Sequence, residues 1–263
     1  DTYICLITTL PGLPNLAKRR PAVSVLQKRE YPFNGQSSTK RTSTNQGCDM
    51  TSRKKQARVA GLLYLLGVPT SVFSLFYVPT TLVVSGDAAA TIRNIEASEL
   101  LYRSGIYVGL LSSLIYLLVA LALYRLFKGV SESQAALMVV FVVIAVAATF
   151  ANSANELAVL LMLGKPDFLS AFDPSQLEGL AYLFVQLQNH GIQIIQIFWG
   201  LWLIPMGVLV YRSGFIPKII GISLWLAALG YLMGNFTFLL LPQYKAALSP
   251  IVTGLEMFEL PII

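Results

Sequence analysis

Cysteine is nearly missing from this chain of 263 residues: there are two, Cys5 and Cys48, and neither lies beyond residue 49. The long hydrophobic remainder therefore offers no disulfide, no cysteine-ligated zinc and no iron–sulfur cluster. Histidine is scarcer still, with His190 alone. Charge is the third scarcity. Asp, Glu, Lys and Arg make up 12% of the residues, against roughly 25% in soluble domains. That is too little to cover a surface facing water. The phosphate-cradling P-loop, the zinc-binding HExxH and the nucleophile elbow GxSxG are all lacking. One imidazole, no thiol and no nucleophile motif are thin material for catalysis. No enzyme activity, no metal and no cofactor are expected.

What remains is hydrophobic: 55% of the residues are apolar or aromatic. The formal net charge of +6 is unevenly spread. Residues 1–49 hold seven basic and three acidic side chains, and the rest holds twelve and ten. A nucleic-acid partner needs a basic stripe on a folded face. The basic residues of the body sit instead at the ends of apolar segments, so none is expected.

Residues 1–49 stand apart. No hydrophobic period is sustained there, and the basic residues follow the apolar run Tyr3–Leu10 rather than precede it, the reverse of a secretory signal. This stretch is expected to be disordered or a non-native upstream extension. Met50 then reads as the initiator of a membrane domain, residues 50–263, because a short basic run and a long apolar segment follow it at once.

A spanning helix needs about 20 largely apolar residues. Six candidates meet or approach that length: about Ala57 to Val84, Ser104 to Phe127, Gln134 to Leu163, Gly191 to Tyr211, Pro217 to Leu241, and a sixth from Ala246 that reads as cut short. The expected fold is an all-α polytopic transmembrane bundle of about six spans. Pro69 and Pro79 are expected to kink the first. Two connecting segments carry helix signals of their own. Gly86–Arg103 has Asp87 as a cap and Glu99 with Arg103 at i,i+4. Asp173–Asn189 opens with Asp-Pro, a cap followed by proline at the first helical position. Both are expected as short extracytoplasmic helices over the mouth of the bundle, the second ending in a bend at Gly191.

Lys and Arg in short loops orient such a bundle. One side holds Arg53, Lys54, Lys55, Arg58, Arg125, Lys128, Arg212 and Lys218, and the other holds Arg93, Arg103, Lys165 and Lys245. The richer side includes the start of the first span. The N-terminus of the membrane domain is therefore expected in the cytoplasm, with the protein in the cell (inner) membrane.

Several strings together resemble one family. They are Ala57-Arg58-Val59-Ala60-Gly61-Leu62-Leu63-Tyr64-Leu65, Gly86-Asp87-Ala88-Ala89-Ala90-Thr91, Asn189-His190-Gly191 and Tyr211-Arg212-Ser213-Gly214-Phe215-Ile216-Pro217. In order and spacing the chain resembles the bacterial membrane family known as domain of unknown function 4386, over about residues 56–263. The resemblance implies a multi-helix inner-membrane protein. It implies no catalytic residue.

Polar side chains within apolar helices are expensive and become functional candidates. Asn152, Asn155 and Glu156 share one face of the third span. Gln186, His190 and Gln193 share a face at the start of the fourth, with Gln196 beyond. Asn235 lies in the fifth, and Glu256 and Glu259 lie in the sixth. Their faces are expected to converge on an outward polar pocket, with Glu156 and His190 able to pair. The glycines of the fourth and fifth spans, such as Gly200, Gly207, Gly221 and Gly230, are expected to permit close helix packing.

Two readings follow. In the first, the protein is structural or accessory, its polar groups tie helices together, and its partner is the bilayer alone. In the second, it binds or moves a small molecule or lipid through the pocket, which predicts a cavity lined by Glu156, His190 and Gln193. The orientation beneath both is testable. Reporter fusions at Gly164 are expected to be active outside the cell membrane and fusions at Gly129 inside it; the opposite pattern inverts the bundle.

Overall fold

The computed structural model describes residues 39–262, with side-chain environments for residues 54–259. The disordered or extraneous segment expected at the start lies mostly outside the described residues. The first helix, α1, runs from Thr39 to Val72 and so begins inside that stretch. A π-helical turn, Phe73–Tyr77, joins α1 to the short α2, Val78–Leu82.

The π-turn has a local cause. Pro79 has no N–H to give the preceding turn, and its ring crowds that turn. Widening the ladder just before it relieves the crowding. Threonine hydroxyls then serve the loosened carbonyls: Thr80 and Thr81 each donate over 2.7 Å, to Phe76 and Tyr77 respectively. Thr70 does the same beside Pro69, reaching the Gly67 carbonyl at 2.7 Å. The first span is thus kept helical across two prolines.

Helix α3, Ala88–Ala97, forms as its cap predicts, with the Asp87 carboxylate accepting from Ala90 N at 2.9 Å. The fully buried Thr91 ties the preceding turn to it, bonding both the amide (3.0 Å) and the carbonyl (3.1 Å) of Val84. Helix α4, Glu99–Phe127, follows after Ser98 alone and carries the expected Glu99–Arg103 pair at 2.6 Å. Helices α5, Glu132–Asn152, and α6, Ala154–Leu163, make one span with an interruption at Ser153.

The second expected short helix is not separate. Asp173 N donates to Gln176 Oε1 at 3.0 Å, Pro174 takes the first helical position, and α7 then runs unbroken from Pro174 to Ser213. Gly191 lies in its middle and does not end it. Forty residues span about 60 Å at 1.5 Å per residue, twice the roughly 30 Å hydrocarbon thickness. A helix can overshoot the membrane without a bend, which periodicity cannot reveal. It stops at Gly214, whose φ of 72° closes the helix in the left-handed conformation.

Helix α8, Lys218–Leu240, returns across the bundle. The sixth stretch is shorter than the others: α9, Lys245–Glu256, with Pro250 inside, runs into a 3₁₀ segment, Met257–Ile262. Five helical segments of the described residues are long and apolar enough to cross a membrane.

Two packed clusters hold the bundle. One gathers α4, α5, α7 and α8 around Trp202, Phe127, Met138 and Leu203, each at most 1% exposed. The second lies at the α3 end and joins Leu82, Ile92, Ile95, Tyr102, Val159 and Val185. Backbones of α7 and α8 touch where Gly207 meets Gly221. A Cβ on Gly221 would lie 2.8 Å from the Gly207 carbonyl oxygen, and one on Gly207 would lie 2.9 Å from that of Gly221. Small residues permit this approach, as expected for helices packing in lipid. Gly105 and Gly109 of α4 likewise seat Val78 and Ser74 of the first span. That span is the peripheral one: only 6% of its most apolar stretch is buried within the protein. Leu62, Leu65 and Phe76 stand more than 60% exposed on it, which suits lipid rather than water.

Candidate functional site

Between the two clusters the helices separate and leave a chamber of about 790 Å³. Its walls come from the first span, α4, α5–α6 and α7, with Tyr231 of α8 and Glu259 closing one side. The spacing along α4 gives its length. Tyr102 lines the α3 end and Tyr116 the far end, and fourteen helical residues rise about 21 Å. The chamber is a slot, not a sphere. The far end rests on the core, where the Tyr116 ring meets Trp202 edge-on at 5.2 Å.

The wall is mostly apolar, with polar groups at intervals. Near the α3 end, Glu156 neighbours Tyr102. Midway, Ser71 of α1 and Ser112 of α4 share a hydrogen bond of 2.7 Å, which pins the peripheral span to the bundle. At the far end the Tyr231 hydroxyl donates to the Glu259 carboxylate at 3.0 Å. Helix α7 contributes Gln188, Asn189, Gln193 and Gln196 along one flank. The Gln188 side-chain oxygen is buried and has no partner. Among the described residues the acidic lining residues are Glu156 and Glu259, and no lysine, arginine or histidine lines the chamber.

The nine sequence candidates divide. Glu156, Gln193 and Glu259 face the chamber. Asn152 and Asn155 instead form a tie between helices: Asn152 Nδ2 donates to the Gln188 carbonyl at 3.0 Å, and its Oδ1 accepts from Asn155 Nδ2 at 2.9 Å. Gly191 makes room for this tie, since a Cβ there would overlap the Asn152 side chain. Its place in α7 is therefore explained by packing. His190 is exposed and outside the lining. Its Nδ1–H donates to the Gln186 carbonyl at 2.6 Å, and its ring lies 5.3 Å from that of Phe238. The Gln186 side chain does not reach the lining either. Glu156 and His190 do not pair. The ion pairs among the described residues are Arg103–Glu99 and Lys165–Glu96. Asn235 is 3% exposed, donates to the Tyr231 carbonyl at 3.1 Å, and leaves its Oδ1 unpartnered away from the chamber. Glu256 lies against Gly234 on α8, also outside the lining.

The missed residues have a simple origin. On α7 the face that matters is Val185, Gln188, Asn189, Ile192, Gln196 and Trp199, at three- and four-residue spacings. Of the expected stripe Gln186, His190 and Gln193 with Gln196 beyond, Gln193 and Gln196 face the chamber, whereas Gln186 and His190 lie to one side of the face that Val185, Gln188 and Ile192 share. The tyrosines were passed over because Tyr in an apolar helix usually marks the interface. Tyr64, Tyr116 and Tyr231 line the chamber instead. Their convergence needs three different helices, so no spacing within one helix announces it. Among the described residues no three His, Cys, Asp or Glu side chains come together in a way that would hold a metal ion.

Five helices long and apolar enough to cross a membrane, packed side by side, define a multi-pass helical membrane protein. Within that class the chain belongs to the family described as Domain of unknown function (DUF4386), which matches residues 59–263. No curated protein and no solved structure matches it.

The Asn152–Gly191 tie yields a test by double-mutant cycle. Gly191→Ala should lower stability in micelles by about 1–3 kcal/mol, because the new methyl group displaces Asn152. Adding Asn152→Ala should recover at least half of that loss in thermal unfolding. Strictly additive losses would show that the two residues do not meet.

Proposed function

We propose that the chamber is the functional part of this protein and that it binds a small, elongated, largely apolar molecule within the membrane. The observation that carries this reading is a slot of about 790 Å³, a volume typical of ligand pockets. It has polar groups at both ends and a row of amide side chains, Gln188, Asn189, Gln193 and Gln196, along one flank. A purely structural protein is better served by a filled core, since empty space between helices forfeits dispersion contacts.

Binding suits the site better than catalysis. The two carboxylates sit toward opposite ends of the slot, Glu156 by Tyr102 and Glu259 by Tyr231. They do not act on one bond as an acid–base pair. No enzyme activity and no nucleic-acid partner belong to this reading. With the domain's N-terminus in the cytoplasm of the cell membrane, as the eight-to-four distribution of basic residues supports, the α3 end of the slot faces outward and its far end reaches past the middle of the bundle to Tyr64 and Tyr116. That is the position from which a molecule is taken up from the outer leaflet or passed to it.

Native mass spectrometry of the protein released from mild detergent tests the proposal. The wild type should retain a bound organic molecule of a few hundred daltons at about one per chain. Thr149→Trp, which fills the slot from α5, should lose it while keeping its elution volume and helicity. Wild type and variant carrying the same bulk lipids, and nothing else, would refute a ligand-binding chamber.

A further inference from the structure

Rings and a carboxylate meet at the far end of the slot. Tyr64 and Tyr116 approach edge-on with centroids 6.3 Å apart, and Trp199 meets Tyr231 edge-on at 6.2 Å and 88°. All four line the chamber, together with Glu259. The Tyr231 hydroxyl orients that carboxylate at 3.0 Å, and Tyr64 and Tyr116 stand close enough to sense its charge. Close packing of α9 on α8 sets this position: a Cβ on Gly230 would fall 2.8 Å from Leu255 Cβ. Glu256 adds a second negative charge beside Glu259, from outside the lining.

The electrostatics there have one sign. Aromatic faces carry negative potential and attract cations, best when the charge is desolvated. A buried carboxyl group is ionised at least cost when a cation sits beside it. Among the described residues no basic side chain lines the chamber to play that part. An anionic headgroup would meet repulsion, and a neutral one would gain no more from the carboxyl group than a hydrogen bond. An inorganic cation would find one carboxylate, where magnesium and calcium need several oxygen ligands. An alkylated ammonium fits: its soft, weakly hydrated charge suits rings, and its hydrocarbon suits the apolar slot leading toward Glu156.

From this geometry we infer that the chamber selects an amphiphilic organic cation, with a substituted ammonium head held among Tyr64, Tyr116, Trp199, Tyr231 and Glu259 and a tail along the slot. The inference rests on the ligand-binding reading of the same chamber and adds the charge and orientation of the ligand.

Calorimetric titration of protein in neutral nanodiscs, with empty nanodiscs as reference, separates the two. The probes are hexyltrimethylammonium, 1-octanol and hexanesulfonate: a cation, a neutral amphiphile and an anion of similar length. The wild type should bind the cation at least about tenfold more tightly than 1-octanol and show no saturable uptake of hexanesulfonate. Glu259→Gln should erase that preference, weakening the cation to about the affinity of 1-octanol. Trp199→Leu should weaken the cation about three- to tenfold, and it decides the matter should Glu259→Gln fail to reconstitute. Saturable binding of 1-octanol and the cation with equal affinity would overturn the charge assignment and leave the chamber reading standing. No saturable binding of any probe would overturn both.

Discussion

Water is not on hand inside a bilayer to bond a stray amide or carbonyl, so each backbone group must find its partner within the protein. Most of this architecture answers that demand. The spans are helices, and where proline breaks a helical ladder a substitute appears nearby. Pro79 is accommodated by a π-turn with Thr80 and Thr81 serving carbonyls, and Thr70 serves the turn beside Pro69. The same demand governs side chains. Asn152 and Asn155 are spent on an interhelical tie, and Ser71 with Ser112 on another. A further set, Glu156, Gln188, Asn189, Gln193, Gln196 and Glu259, lines the slot.

The slot itself follows from packing with small residues. Lipid tails are as apolar as leucine, so helices adhere where their surfaces fit closely rather than where they hide from water. Gly207 and Gly221 bring α7 and α8 into backbone contact at one level, and Gly105 lets the first span sit on α4 at another. Between those levels stand bulky aromatic and amide side chains, and the helices diverge around them. Helix α7 is common to both clusters, contributing Trp202 and Leu203 to one and Ala181 and Val185 to the other. Its length links the exposed end of the molecule to the floor of the chamber.

Much of the fold is legible in the sequence because hydrocarbon is a demanding solvent. Apolar length located the spans, Asp87 and Asp173-Pro174 located helix starts, and the glycines of α7 and α8 are the packing residues they were expected to be. What failed was what one helix cannot disclose by itself. Gly191 reads as a bend because glycine breaks helices in water, yet here it accommodates Asn152 from another helix. The stripe on α7 was read from Gln186, His190 and Gln193, but the inward face turns on Val185, Ile192 and Trp199, which look like ordinary apolar filling. Of the acids, Glu156 and Glu259 were found because a carboxylate in an apolar helix is conspicuous. The tyrosine hydroxyl that holds Glu259 was not, since nothing in the spacing of Tyr231 distinguishes it from an interface anchor.

The account stands on an open, mostly apolar slot with polar groups along it, between two packed clusters. The membrane body contains no cysteine, so single cysteines placed in it report on their surroundings without interference once Cys5 and Cys48 are changed to serine. The most direct measurement is the rate at which a small, water-soluble trimethylammonium thiosulfonate modifies Gln193→Cys and Val142→Cys in intact membranes. Gln193 lines the slot, while Val142 is 1% exposed in the core. The account predicts rapid modification at 193 and none at 142. Equal inertness at both positions would mean that the slot is dry and closed, and would contradict it.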